Sequence, residues 1–243
     1  MKRLLYALSA FLVFFAGSCA VNGNGIQTKT GKTETRAFDV KDFTKVHLDG
    51  GITTARIVQS DTYSVSVTTD SGLFDYFEVA AKGDALVIQA RPGFGVAIAY
   101  NCNVTIAMPK IRELNAVNSS AAVLLGSFRQ PDTDLDIRAT GVSSITADVI
   151  AKNLYTDTSS HSSIDLKGSV ENFRCSASGL SEIRAYKCKC ANVDATVDTH
   201  AALYVYAEKS LNAHVSGMSS LYYRGNPEKV HKTVHGRGGI YKQ

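Results

Sequence analysis

Apolar and polar residues alternate in short runs from Phe38 to Pro109, and glycine or aspartate separates the runs. A period of two over four to eight residues is typical of half-buried β-strands. Helical periodicity is absent, apart from one turn near Gly72 to Phe77. The pattern therefore predicts strands throughout this half, as in Val46-His47-Leu48, Tyr63-Ser64-Val65-Ser66-Val67, Leu86-Val87-Ile88 and Val104-Thr105-Ile106-Ala107-Met108.

The second half repeats about every 19 residues. Each unit has apolar or small residues at its first, third and fifth positions, then a Gly/Ser turn, then another alternating strand from the eleventh position. Units open at Leu114, Leu135, Leu154, Phe173, Val193, Leu211 and Val230. The eleventh positions are Leu124, Ile145, Ile164, Ile183, Leu203, Leu221 and Ile240.

A unit of two short strands cannot close a core alone, but stacked units would align these positions into continuous apolar ladders. The strand spacing is about 4.8 Å per rung, one rung being one turn of such a solenoid. The sequence therefore predicts an all-β, single-stranded parallel β-helix, and the general rule for parallel crossovers favours a right-handed one. An antiparallel sandwich is the alternative, although a sandwich needs no fixed repeat.

The first residues form an export signal. Lys2 and Arg3 precede a short apolar run, and Ala16-Gly17-Ser18-Cys19 matches a bacterial lipobox. We expect a signal peptide over residues 1–18, a lipidated tether over 19–37, and lipid attachment at Cys19, although cleavage by the ordinary signal peptidase is an alternative. Residues 38–243 would form the β-helix domain, with irregular rungs over 38–112 and regular rungs over 113–243.

The charge balance gives no electrostatic case for nucleic acid. Without Lys2 and Arg3, the chain has 24 basic and 22 acidic residues. Four cysteines remain in the exported part, and an oxidising compartment permits disulfides. Free structural thiols, one disulfide or a metal site are all open for Cys102, Cys175, Cys188 and Cys190. Cys188-Lys189-Cys190 would place both thiols on one face of a strand.

The order of several segments resembles the head-GIN domain family of autotransporter adhesins from Gram-negative envelopes. The first is the opening from Val40 to Ile52, and Ile57-Val58-Gln59-Ser60 and Asp84-Ala85-Leu86-Val87-Ile88 follow it. Next comes the stretch from Val104 to Pro109, which leads into the repeats. The resemblance implies a parallel β-helix and an adhesin-like role, and it carries over no catalytic or binding residue.

Enzyme motifs are not visible. The carboxylates scatter over different columns of the repeat, whereas a glycan-active enzyme needs a cluster. His161 and His200 share the eighth position two rungs apart, roughly 10 Å, which is too far to share a metal. Solvated turn histidines are the better interpretation. We therefore predict no enzymatic activity, no cofactor and no metal site.

Tyrosines form the candidate binding face. Tyr204, Tyr222 and Tyr241 share the twelfth position, and Tyr186 and Tyr206 share the fourteenth position of adjacent rungs. Alternation places all five outward, on one exposed patch. Exposed aromatic side chains stack on sugars or anchor a partner. The alternative is that stacking between rungs stabilises the end of the solenoid.

These observations favour a non-enzymatic lipoprotein of the cell envelope, attached to the outer membrane through Cys19, that binds a glycan, a surface polymer or an envelope protein. A purely structural or assembly component is a second hypothesis, and a glycan-active β-helix enzyme is a third. The sequence leaves open which membrane face holds the protein.

Overall fold

The computed structural model describes residues 30–91 and 102–243, which form one long β-solenoid of about seven turns with ~19 residues per rung. One 3-10 helix, Ser71–Tyr76, lies at the predicted helical turn. The strands in chain order are β1 (Thr33–Phe38), β2 (Lys45–Asp49), β3 (Thr54–Gln59), β4 (Ser64–Asp70), β5 (Phe77–Lys82), β6 (Ala85–Ala90), β7 (Asn103–Met108), β8 (Glu113–Val117), β9 (Ala121–Leu125), β10 (Phe128–Gln130), β11 (Leu135–Ala139), β12 (Ser144–Thr158), β13 (Ser163–Ala177), β14 (Glu182–Val197), β15 (Ala202–Gly217), β16 (Ser220–Arg224), β17 (Lys229–Gly236) and β18 (Gly239–Lys242).

The predicted ladders are present in the regular half. Ile145 lies opposite Ile164, and the same register continues through Ile183, Leu203, Leu221 and Ile240. The members from Ile145 to Leu221 are buried almost completely. Small inward residues such as Ala139 and Cys175 are also buried, as a thin interior requires. The parallel β-helix predicted from the repeat is confirmed.

The first unit of the predicted repeat is out of register by two residues. Leu114 pairs with Ile137 and not with Leu135, and Ile145 pairs with Ala122 and not with Leu124. This rung is therefore 23 residues long, because residues 126–134 form a longer corner that holds the short strand β10. Counting apolar positions alone could not reveal these extra residues.

Each regular rung has three sides, where the sequence predicted two strands. Residues 144–146 of β12 pair with β9, residues 149–151 pair with β10, and residues 154–158 pair with β11. The strand is continuous through its corners, so one long strand supplies all three sides. Buried Phe128 and Val149 lie on the additional short side.

The spatial order of the first rungs differs from their order in the chain. β2 pairs in parallel with β6 on one side and with β8 on the other, and β3 pairs likewise with β7 and β9. The outermost rung is thus formed by β6 and β7. Antiparallel strands cover it, because β5 pairs with β6, β4 pairs with β7, and β1 pairs with β4.

A column of buried serines holds one corner of the solenoid. Ser143, Ser162, Ser181 and Ser219 are nearly inaccessible. The Ser162 hydroxyl donates to the Ala139 carbonyl one rung away at 2.6 Å, and the Ser219 hydroxyl donates to the Val197 carbonyl at 3.0 Å. Because a buried hydroxyl needs a partner, these serines fix the turn in the same form on the rungs that carry them, and Ala201 takes the equivalent position on one rung.

Candidate functional site

Four of the five candidate tyrosines form one column of rings across the last rungs. Neighbouring ring centroids lie 5.4 Å apart for Tyr186 and Tyr204, 5.1 Å for Tyr204 and Tyr222, and 5.3 Å for Tyr222 and Tyr241. The first pair meets edge to face and the other two are stacked. Strand pairing places Tyr204, Tyr222 and Tyr241 directly opposite one another, as predicted.

The repeat predicts that Tyr206 lies opposite Tyr186, but the structure does not place it there. The pairing of β14 with β15 shifts between Ala185 and Lys189, so that Tyr206 lies opposite Lys189. The extra residues on β14 form an irregularity, and alternation does not reveal its position. Within residues 30–91 and 102–243, no ring contact joins Tyr206 to the tyrosine column.

The rings of the tyrosine column cover one another. Tyr186, Tyr204 and Tyr222 are half-buried, and Tyr241 is 47% exposed. Burial raises the pKa of both Tyr186 and Tyr204. The guanidinium of Arg224 lies 4.2 Å from the centre of the Tyr186 ring, a cation–π contact. The column therefore offers ring edges and hydroxyls along its length, and one open ring face at Tyr241.

A shallow groove of about 360 Å³ follows another side of the solenoid, the side that contains residues 154–158 of β12 and the residues stacked on them. An asparagine ladder runs along it. Asn172 donates to the side-chain oxygen of Asn153 at 2.9 Å, and Asn192 donates to that of Asn172 at 3.0 Å. The ladder ends at Ser210, whose hydroxyl donates to Asn192 at 2.8 Å. The spacing of these asparagines follows the repeat and could have revealed them, but they are polar and lie outside the apolar columns that predicted the fold.

Charged and aromatic side chains lie beside the asparagine ladder. Arg174 forms an ion pair with Asp194 at 3.1 Å, and Asn212 donates to the same carboxylate at 3.0 Å. Tyr155 is 39% exposed and lines both this groove and a second depression of about 210 Å³ that contains Lys45 and Asp136. The groove thus combines amides, a carboxylate, a guanidinium and one aromatic ring.

The remaining chemistry is dispersed. In the described ranges, 30–91 and 102–243, no group of three or more His, Cys, Asp or Glu side chains is placed to hold a metal ion. His161 and His200 are exposed on turns, as predicted. The carboxylate of the groove, Asp194, is engaged with Arg174 and the Asn212 amide.

All four cysteines of the described part are free and buried. Cys188 and Cys190 point to the same side of β14, with their sulfurs 3.8 Å apart. Burial raises the pKa of Cys102 to about 12 and raises that of Cys175 well above its ordinary value. A raised pKa disfavours the thiolate, the form that acts as nucleophile and metal ligand, so Cys102 and Cys175 are best described as core residues. Cys19, the predicted lipidation site, lies outside the described residues.

Where the chain is described, it contains no helix with the length and apolar character needed to cross a bilayer. No curated protein sequence matches the chain. Several solved structures share the fold at low sequence identity. A putative adhesin from Bacteroides fragilis is 20% identical with a TM-score of 0.82, and the match covers 88% of this chain and 99% of that one.

A putative lipid binding protein from Parabacteroides distasonis is 23% identical with a TM-score of 0.72, over 88% of this chain and 98% of that one. A putative adhesin from Parabacteroides merdae is 18% identical with a TM-score of 0.63, over 88% and 97%. Residues 42–227 match the sequence pattern of the family described as "Putative auto-transporter adhesin, head GIN domain". This match spans most of the chain, so the chain belongs to that family of adhesin-like proteins.

Proposed function

We propose that this protein is a non-enzymatic lipoprotein of the cell envelope, anchored in the outer membrane through Cys19, that binds an extended glycan, a surface polymer or an envelope protein. Membership of an adhesin-like family is consistent with a role as a binding module. The observation that carries the proposal is the alignment of outward side chains on successive rungs, above all the tyrosine column. A linear polymer lying along the solenoid would meet the same chemistry about every 4.8 Å.

The proposed contact face comprises Tyr186, Tyr204, Tyr206, Tyr222 and Tyr241. Because three of the rings stack on one another, contact with a sugar polymer would use their edges and hydroxyls and the open face of Tyr241. The same stacking also supports a structural role, in which the column stabilises the last rungs. The two roles predict different results when the rings are removed.

The double change Tyr204→Ser and Tyr222→Ser tests the contact face. The mature protein would be used to capture partners from envelope extract and to probe a glycan array. We expect the double variant to lose capture with a small change in melting temperature. A marked fall in melting temperature with capture intact would show that the tyrosine column is structural.

Tyr155→Ser is the matched control, since it removes an exposed tyrosine from the groove on another side of the solenoid. The proposal requires this variant to retain capture. If Tyr155→Ser abolishes capture and the double variant does not, the binding surface is the groove of the asparagine ladder. Loss in neither variant would argue against both surfaces.

The anchor is tested separately by metabolic labelling with a fatty acid. We expect the wild-type protein to carry the label and a Cys19→Ala variant to carry none. Equal incorporation in both proteins would contradict lipidation at Cys19. This result is independent of the capture experiments, because it measures the covalent modification alone.

A further inference from the structure

One corner of the solenoid carries an exposed row of alternating apolar and basic residues. The row occupies the eighth position of six successive rungs, and we refer to it as the apex ridge. Its three apolar members have the highest exposed fractions among the large hydrophobic side chains that the structure describes: 67% for Val142, 60% for Leu180 and 53% for Met218. Between and after them lie the exposed residues His161, His200 and Arg237.

The backbone of the apex ridge is rigid. From His161 to Arg237, the apex amides donate to a carbonyl one rung away, for example from Leu180 to Ser160 at 2.7 Å and from Met218 to Thr199 at 2.7 Å. The preceding residue has a left-handed conformation, with φ of 75° at Gly179 and 68° at Gly217. After Leu180 and Met218, the following serine is buried and hydrogen-bonded to a neighbouring rung. The backbone is therefore held in place on both sides of Leu180 and Met218.

The apex side chains themselves do not contribute to the core. At a position that is more than half exposed, a polar side chain would be solvated without any loss of packing. Folding therefore does not explain why three of the apex positions carry an apolar residue. Single exposed hydrophobic residues need no explanation, but an ordered row of them marks an interaction surface. The basic residues between the apolar ones indicate which class of partner the row contacts.

The geometry points to an anionic lipid bilayer as the partner: we propose that the apex ridge rests on the membrane surface, with Val142, Leu180 and Met218 dipping into the interface and Arg237 at the level of the lipid phosphates. The inference rests on the lipid anchor proposed above. The ridge is convex, and its apolar tips lie two rungs apart, about 10 Å. Separate tips of this kind suit a fluid interface, which fills the space between them.

The charges near the apex ridge permit this contact. No carboxylate occupies the apex position from Val142 to Arg237. The two carboxylates within two positions of an apex residue are already engaged: Glu182 pairs with Arg184, and Asp198 accepts hydrogen bonds from the Ser216 hydroxyl and the Thr199 amide. A basic residue near an anionic leaflet adds a modest attraction, so the ridge alone would bind weakly.

The length of the tether fits the proposal. Cys19 and Thr30, the first described residue, are 11 positions apart. Even a fully extended chain of this length reaches at most about 40 Å. The ridge from Val142 to Arg237 extends over five rung spacings, about 24 Å. Anchoring at Cys19 would hold the body within reach of the bilayer, and a weak contact then becomes effective through a high local concentration.

The chain has no tryptophan, so one introduced tryptophan serves as an unambiguous probe. Leu180→Trp places it on the apex ridge, and Glu171→Trp places it at an exposed position on a different corner. Each variant, purified in the form processed in the envelope, would be reconstituted into phosphatidylglycerol/phosphatidylethanolamine vesicles with brominated acyl chains. Thermal unfolding of each variant confirms that the fold is retained.

We expect bromine to quench the emission of Leu180→Trp about twofold with a blue shift, because the ring enters the interface, and to leave Glu171→Trp unchanged. Adding Val142→Ser and Met218→Ser to Leu180→Trp should reduce the quenching. Equal emission of Leu180→Trp with and without bromine, or equal quenching of both probes, would overturn the proposal. Failure of the anchor would instead appear as absent fatty-acid label at Cys19.

Discussion

The N-terminal end of the solenoid is covered by antiparallel strands, whereas the last rung at the other end has no strand on its outer side among the described residues. At the covered end, Leu73, Phe74 and Phe77 are buried, and Arg36 lies over the Phe74 ring at 4.1 Å. At the open end, Val230 is 43% exposed and Val234 is 44% exposed, although both occupy inward positions.

The difference shows where burial comes from in this architecture. An inward side chain of a solenoid is covered by the rungs on both sides, so the final rung has only half of its cover. A cap must break the repeat, because another identical rung would only move the open face outward. The irregular strands before residue 113 form this cap and the rungs that it covers. The most regular units lie toward the open end.

The strongest test of this comparison places the same charge at matched inward positions. Ile164→Asp buries an unpaired carboxylate in the middle of the ladder and should cost at least about 4 kcal/mol, enough to abolish folding. Val234→Asp on the last rung leaves its carboxylate in contact with water and should cost less than about 1 kcal/mol. Denaturant unfolding measures both, and a natively folded Ile164→Asp protein would contradict the register.

Removing one apolar side chain from each end should give a smaller but still unequal effect. Phe77→Ala opens a cavity beneath the cap and should destabilise the protein by about 3–5 kcal/mol. Ile240→Ala on the half-buried last rung should cost about 1 kcal/mol, in proportion to the smaller area it buries. Similar losses for the two variants would mean that the open end is covered in solution.

Lysines at inward positions should protect the open edge from pairing with other chains. Lys232 lies opposite Ala213 and Lys242 opposite Tyr223, and the Lys232 ammonium is 4.7 Å from the centre of the Tyr223 ring. Inward-pointing charge on an edge strand disfavours strand addition. The double change Lys232→Val and Lys242→Val should therefore cause self-association, seen by sedimentation. Lys229→Val, at an outward position, is the control and should remain unassociated.

The smallest expected effect concerns the start of the cap. Partial desolvation acts to raise the pKa of Asp70, but hydrogen bonds from Gly72, Thr30 and Gly31 outweigh it and lower the pKa from 3.8 to about 2. A carboxyl whose pKa is lower in the folded state stabilises that state above its unfolded pKa, and the stabilisation is lost as pH falls through the folded value. Asp70→Asn should therefore lower the melting temperature slightly at pH 6, and by progressively less as the pH falls toward 2.

The two ends also differ in how far the sequence predicts them. Stacking repeats the same environment, so the column from Ile145 to Leu221 could be predicted from spacing alone. The cap could not, because strands such as β4 and β5 have the same alternation whether they pair parallel or antiparallel. Alternation also does not reveal that β2 lies between β6 and β8, because the spatial order of the rungs depends on the path of the loops that connect them.

The candidate site shows the same limit. The row of Tyr204, Tyr222 and Tyr241 follows from the repeat, whereas Tyr206 leaves it because of the irregularity between Ala185 and Lys189. The asparagine ladder follows the repeat equally well. Its signal is polar, and a search for apolar columns and catalytic clusters does not detect it.

Native-state hydrogen exchange, measured rung by rung, tests the central claim of one covered and one open end most directly. Local opening requires less free energy where fewer contacts are broken. We predict strong protection of the amides of β2, β6 and β12 to β14, and a fall in protection through β15 to the weakest values in β17 and β18. Uniform protection up to β18, or weaker protection in β6 than in β17, would contradict the account.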